Sequence, residues 1–443
     1  MKKYQSYKPS GNEWIGDIPE HWGISKVKYT SEIFGRIGYR GYTIEDIVNE
    51  GEGVITISPS NIKNDIFTME SSLTYISYEK YYQSPEIMIF PNDIILVKTG
   101  STIGKTSIVP DNVPEMTINP QLIVLKNIKM NHKFYYYQTT CDYFKNSFFV
   151  EQTGSTTPTI SQEKVNNFPL LIPTPNEQHQ IVQFLEEKTE IIDKLISTKQ
   201  RKIDLLKQQR TSLINQIITK GLDPNIKMKD SGVEWIGDIP EHWDCKLLKY
   251  VVKSNEKVLT ENTDPFYELN YIEIGDVDSS GNINNSTQYL FKDCPSRCRR
   301  ILSKGDVLVS TVRTYLKSIG YIKDEVEDLI CSTGFCVLTP SKKIIPTYLF
   351  YQILTEYFIG EVISKSQGVS YPSITSTELI NIKILVPSVN EQHQIVEFLD
   401  TRTKEIDDLI SLEQRKIDVL KDYRKSLISE VITGKIDVRT NLN

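Results

Sequence analysis

The chain is written twice. Residues 13–22 read EWIGDIPEHW, and residues 234–243 read EWIGDIPEHW again, an offset of 221. Residues 176–182 read NEQHQIV, and so do residues 390–396, an offset of 214. RKID at 201–204 returns at 415–418 with the same offset of 214. The interval from Trp14 to Asn176 is therefore seven residues longer than that from Trp235 to Asn390. A period above 200 residues is far too long for a stacked solenoid, whose units run to about 20–50 residues. It indicates a duplicated module with one insertion or deletion in its divergent part. All four tryptophans (Trp14, Trp22, Trp235, Trp243) fall in the repeated opening, and His21 with His242 and His179 with His393 form repeat pairs. The ends of each half match while the middles differ. That is the pattern of one scaffold presenting two different surfaces.

Composition bounds the class. The 443 residues suggest two to four structural units, each able to bury a core. The 39% hydrophobic and 24% charged fractions describe a globular, soluble chain. No run of 18 apolar residues is present, so no membrane association is expected. The start, MKKYQSYKPS, lacks the apolar core of a secretory signal. Six cysteines are too sparse for a disulfide scaffold, and a reducing cytoplasm is the expected setting. With 51 Lys+Arg against 57 Asp+Glu, the net charge of −6 excludes a globally basic, coating nucleic-acid binder. It leaves room for a local basic face.

Each half reads as a mixed module followed by a long helix. The β-branched runs in 92–109 and 304–322 predict strands, and the aromatic-rich stretches 132–149 and 346–363 predict short helices packed on them. Pro173 and Pro175, then Pro387, precede the two long helices. From Val182 a 3–4 spacing gives Val182, Leu185, Thr189, Ile192, Ile196, Lys199, Ile203, Leu206, Arg210, Leu213 and Ile217. From Val396 it gives Val396, Leu399, Thr403, Ile406, Ile410, Glu413, Ile417, Leu420, Arg424, Leu427 and Val431. Eight of eleven positions are apolar in each, with matching polar interruptions. A seam of about five heptads predicts a coiled coil, because a helix spanning roughly 60 Å cannot lie on one small module. Antiparallel pairing about a pseudo-twofold axis brings Lys199 near Glu413, and the opposite charges favour pairing of unlike halves. The expected fold is thus α+β: two repeated mixed α/β modules, 1–174 and 222–388, each followed by a long helix, 175–221 and 389–435, with a tail at 436–443.

Catalytic and metal constellations are weak. Gly100-Ser-Thr-Ile-Gly104-Lys105-Thr106 has three residues between its glycines, where a phosphate-binding loop needs four, and the second half has no counterpart. It reads as a Gly-hinged polar loop offering Lys98, Ser101, Thr102 and Lys105. Asn119-Pro120-Gln121-Leu122 lacks the second proline and the aromatic residue of an adenine methyltransferase motif. Cys331 and Cys336 lie five apart on an expected strand and so point to opposite faces, which argues against zinc. No nucleophile or carboxylate pair travels with His21, His242, His179 or His393, which points to structural roles.

The basic residues carry more. Lys292, Arg297, Arg299, Arg300, Lys304, Arg313, Lys317 and Lys323 face only Asp293 and Asp306, a segment of +6 in a chain of −6. It brackets Ser310, Thr311, Arg313 and Tyr315, side chains suited to phosphates and base edges. A second polar loop precedes each helix. One is Thr153-Gly154-Ser155-Thr156-Thr157-Pro158; the other is Gln367-Gly368-Val369-Ser370-Tyr371-Pro372, at an offset of 214. Both keep Gly and Pro and vary between them, which suits a loop of fixed shape with exchangeable contacts.

Two variable modules, each opened by Trp-Ile-Gly-Asp-Ile-Pro-Glu-His-Trp and closed by Asn-Glu-Gln-His-Gln-Ile-Val with a long helix, resemble the specificity subunit of Type I restriction-modification systems over nearly the whole chain. The resemblance implies that the modules are target recognition domains, each reading one half of a split, asymmetric double-stranded DNA target. It implies that the helices form an antiparallel coiled-coil spacer, through Leu185, Ile192, Ile196, Lys199, Ile203 and Leu206 with Leu399, Ile406, Ile410, Glu413, Ile417 and Leu420, docking two modification (methyltransferase) subunits. Restriction (translocase/nuclease) subunits are the further implied partners. It implies no catalysis and no cofactor in this chain, with S-adenosylmethionine and ATP used by the partner subunits. DNA contact is expected from Lys98, Ser101, Thr102, Lys105, Ser155, Thr156, Thr157, Arg297, Arg299, Arg300, Ser310, Arg313, Tyr315, Lys317, Ser370 and Tyr371. The alternative is a bivalent protein-interaction scaffold, which accounts for the duplication but not for the +6 segment.

Overall fold

A computed structural model describes residues 2–36, 41–154, 156–278, 281–368 and 370–439. It divides into two compact units, Met1–Thr198 with Lys416–Asn443, and Lys199–Arg415. The division cuts across the linear order, because it falls within both long helices, Pro175–Lys220 and Val389–Ile432. Each unit therefore holds one module, the first part of the helix that follows it and the last part of the other helix.

Within the first unit a four-stranded sheet runs in the order Thr106–Ile108, Ile94–Val97, Leu122–Lys126, Glu32–Phe34. The second unit repeats it as Ile319–Tyr321, Val307–Ser310, Phe335–Pro340, Val252–Ser254. These central strands are apolar runs because both their faces are covered. Ile94 and Leu96 face the cluster containing the helices, while Ile95 and Val97 face a second sheet. In the second unit Val307 and Val309 face the helices and Leu308 the second sheet. Each second sheet contains a parallel pair, Val54–Ile57 with Met116–Ile118 and Glu268–Ile272 with Leu329–Ser332. Cys331 and Cys336 do not share one strand, as the sequence suggested. A tight turn at Thr333 and Gly334 puts them on strands of different sheets, Leu329–Ser332 and Phe335–Pro340. The aromatic-rich segments form the helix pairs His132–Thr140 and Asp142–Glu151, and Pro346–Ile353 and Glu356–Lys365.

The long helices begin with matching capping boxes. Thr174 Oγ1 accepts from Glu177 N (3.4 Å) while Glu177 Oε2 accepts from Thr174 N (3.3 Å), and Ser388 and Glu391 repeat the exchange. Pro175 is the first helical residue rather than a residue ahead of the helix, where its missing N–H costs nothing. The heptad positions turn inward. Leu185, Ile192, Ile203, Leu399, Ile406 and Ile417 are buried, while Ile196, Leu206, Ile410 and Leu420 are half-buried. In the second unit Lys199 pairs with Glu413 and Arg210 with Asp407, so the two helix segments run antiparallel. In the first unit Arg424 pairs with Asp193 at 3.0 Å, the repeat counterpart of the Arg210–Asp407 pair at 3.1 Å. Among the described residues no helix is long and apolar enough to cross a membrane.

Candidate nucleic-acid interface

The repeated opening and the repeated helix start are one device. In the first unit His21 Nε2 lies 2.9 Å from Glu177 Oε1, and Trp22 Nε1 donates to the same oxygen at 3.4 Å. In the second unit His242 Nε2 lies 2.8 Å from Glu391 Oε1, which also accepts from Trp243 Nε1 at 3.2 Å. Burial of Glu177 opposes its ionisation, but the hydrogen bonds from His21 and Thr174 outweigh it and hold the carboxyl below the usual range. Burial likewise opposes ionisation of Glu391, and His242 and Trp243 hold it down. The next residue completes the lock. Gln178 accepts from Asn131 N and donates to Pro173 O, and Gln392 accepts from Ile345 N and donates to Pro387 O. The opening, the helix start and the first short helix are thus fixed together in each module. The capping-box spacing Thr174–Glu177 and Ser388–Glu391 was the available signal for these carboxylates, and the repeat alone did not disclose their partners.

On that fixed frame the two polar loops of each module meet. Gly100 N donates to Pro158 O (2.9 Å), Ile160 N donates to Lys98 O (3.0 Å), and the hydroxyls of Thr99 and Thr159 are 2.8 Å apart. In the second module Ile374 N donates to Thr311 O (2.9 Å), and the hydroxyls of Thr314 and Ser366 are 2.8 Å apart. Segments some 50–60 residues apart in sequence are stitched into one surface; the Ile160–Lys98 and Ile374–Thr311 bonds and the bridges Thr99–Thr159 and Val312–Ser373 hold the same register in both copies, whereas the two hydroxyl pairs do not correspond.

The predicted side chains distribute unevenly over it. Ser101, Thr156 and Thr157 are exposed in the first module, with Thr102 and Lys105 half-buried; Ser155 lies outside the described residues. Burial lowers the pKa of the half-buried Lys98, which has no carboxylate partner among the described residues. An unpaired cation held part-way out of water favours the approach of an anion. In the second module Arg313, Tyr315, Lys317, Ser370 and Tyr371 are exposed, and the Arg313 guanidinium stacks 4.9 Å from the Tyr371 ring centroid. Ser310 differs. It is buried and its hydroxyl donates to Val312 O (2.7 Å), so it shapes the loop from within.

The +6 segment is not one patch. Arg299 and Arg300 lie on Cys298–Ile301, an edge strand of the second sheet, and Arg313 and Lys317 follow a strand of the first. Arg297, just before that edge strand, is exposed. Arg299 stacks on Phe291 (5.1 Å) and donates to Cys298 O, and Arg300 is half-buried with no hydrogen bond at Nε. The charge run in the sequence is divided because a strand and two turns intervene.

The family model for the Type I restriction modification DNA specificity domain matches residues 34–207 and 240–422, once in each repeat. The chain belongs to this family. It is 28% identical to the MjaVIII specificity subunit of Methanocaldococcus jannaschii, over 81% of this chain and 82% of that one. It is 25% identical to the putative MjaX specificity subunit of the same organism, over 96% of both. A solved chain from a type I R-M system, studied for complex assembly and conformational transition, shares the fold. Its TM-score is 0.66 at 16% identity, over 95% of this chain and 99% of that one.

Proposed function

We propose that this chain is the DNA-recognition subunit of a Type I restriction-modification complex, each module reading one half of a bipartite, asymmetric target. One observation carries the reading. In both copies two loops of divergent sequence are hydrogen-bonded into one exposed surface at equivalent positions. A fixed backbone with exchangeable side chains is what independent readout of two different half-sites needs. The paired helices then act as the spacer, and both modules meeting one side of the duplex puts half-site centres about 10 bp apart. The same helices dock the modification subunits, with restriction subunits completing the assembly. Methyl transfer from S-adenosylmethionine and the use of ATP belong to those partners, not to this chain. The net charge of −6 implies weak DNA affinity for the chain alone, partner subunits supplying much of the phosphate contact.

Replacing residues 1–174 with the corresponding module of a relative is the test. Sequencing of methylated adenines in cells should show one half of the modified target changed and the other half kept. If both halves change together, independent readout is wrong.

A further inference from the structure

The two modules build the same loop from different residues. Val97 N donates to Lys105 O (2.8 Å), and Ser310 N to Ser318 O (3.0 Å). Ile103 N donates to Gly100 O (3.1 Å), and Leu316 N to Arg313 O (2.8 Å). In that register, an offset of 213, Gly100 corresponds to Arg313 and Gly104 to Lys317. All four share a left-handed backbone, with φ of 107° and 84° at the glycines, 51° at Arg313 and 55° at Lys317. Glycine enters that region freely, whereas a Cβ there crowds the neighbouring carbonyl. Among the described residues nine non-glycine positions have positive φ. Seven are Asn or Asp, whose short polar side chains tolerate it; the other two are Arg313 and Lys317.

Nothing within the fold requires cations at these points. The first module forms the same turn with glycines. Arg313 and Lys317 are both exposed and have no carboxylate partner among the described residues. The Arg313 guanidinium stacks on the Tyr371 ring, itself 65% exposed. Backbone strain carried by two solvent-facing cations on a candidate binding surface is a mark of function.

We infer that Arg313 and Lys317 are the specificity-determining and anchoring cations of the second module, retained against backbone strain because its half-site requires them. The Tyr371 ring pre-orients the planar Arg313 guanidinium, as a bidentate contact to a guanine edge demands. Lys317, one turn on and unstacked, meets a backbone phosphate. The first module, with glycine at both places, reads its half-site through other groups. This rests on the reading of the modules as DNA-recognition domains.

The full chain, assembled with its modification subunits, is compared with Arg313→Gly, Arg313→Ala, Lys317→Gly and Lys317→Ala. The probes are a duplex carrying the target mapped in cells and one with the second half-site scrambled. At both positions the glycine variant should melt about 1–4 °C above the alanine variant, reversing the order at ordinary positions. Arg313 variants should lose tenfold or more for the target and twofold or less for the scrambled duplex. Lys317 variants should lose affinity for both and show a shallower salt dependence. Glycine variants that melt at or below their alanine partners overturn the strain. Glycine variants that bind the target within twofold of the native complex overturn the DNA role. A native complex that does not distinguish the two duplexes overturns the underlying reading of the modules instead.

Discussion

Lys199 Nζ donates to Glu413 Oε2 at 3.0 Å, joining two residues that are each other's repeat counterparts, 214 positions apart. Glu413 is buried within the seam and also accepts from Lys202 at 2.9 Å. Heptad position alone puts Lys199 within a layer of Glu413. A carboxylate removed from water needs its cations, so Lys199→Glu should lower stability by about 2 kcal/mol or more by setting two carboxylates face to face. The exchange Lys199→Glu with Glu413→Lys should recover most of the loss, and Lys199→Leu with Glu413→Leu should be neutral or stabilising. Thermal unfolding of the three variants checks this; an unrescued exchange would refute the pairing.

The seam was legible because burial writes a 3–4 spacing into a helix. The strands at Ile94–Val97 and Val307–Ser310 were legible as apolar runs between Gly and Asp. The ion pairs Arg210–Asp407 and Arg424–Asp193 were not. Antiparallel heptad spacing alone sets Arg210 opposite Thr403 and Arg424 opposite Thr189, whereas a long side chain reaches one helical turn further to find a carboxylate. The convergence of the 98–105 and 153–160 loops was hidden for another reason. It depends on tertiary hydrogen bonds between backbone groups, which carry no residue signature. The left-handed backbone at Arg313 and Lys317 was invisible too, since neither residue type announces it.

Two buried glutamines each accept from two donors. Gln138 Oε1 accepts from Tyr143 OH (2.8 Å) and Leu171 N (2.6 Å), and Gln352 Oε1 accepts from Tyr357 OH and Leu385 N. Gln138→Leu or Gln352→Leu should each cost about 2–4 kcal/mol, because two buried donors lose their acceptor at once. Gln→Glu should also be damaging, since it adds an ionisable group at a fully buried site. Urea titration of the full chain measures both, and a loss below 1 kcal/mol for the leucine variants would count against the network.

The Glu177 and Glu391 locks make stability depend on acid. Both carboxyls lie below their ordinary pKa of 4.5 in the fold, so the folded state binds fewer protons than the unfolded one. Their contribution is therefore complete above pH 4.5 and is lost as pH falls through the lower folded values. Melting temperature should fall on acidification below that point. In Glu177→Gln with Glu391→Gln the fall should be shallower, and the variant should be less stable than the native chain at pH 7. Equal slopes for the two proteins below pH 4.5 would show that these carboxyls do not govern the acid limb.

Lys2 and Asp437 meet within the first unit. Asp437 N donates to Lys2 O at 2.9 Å, and Gly434 lies beside Trp22 much as Gly221 lies beside Trp243. A Cβ at Gly434 would strike Pro19 and come within 3.2 Å of Trp22, and one at Gly221 would come within 3.3 Å of Trp243. Both glycines also have φ above 70°. The first unit thus assembles from two separate segments, around 2–22 and 416–438, what the second assembles from continuous chain. A chain in which Lys2 is joined to Arg439 by a short linker, and which is opened between the exposed residues Asp223 and Asn225, should therefore fold to the same two units, because no buried contact is cut there. Its melting temperature should lie within a few degrees of the native chain, and its methylated target in cells should be unchanged. Gly434→Ala in the native chain should destabilise by about 2 kcal/mol or more, from the clash with Pro19 and the left-handed backbone together. A permuted chain that is insoluble, or that modifies a different sequence, would show that the chain ends are needed for more than closing the first unit.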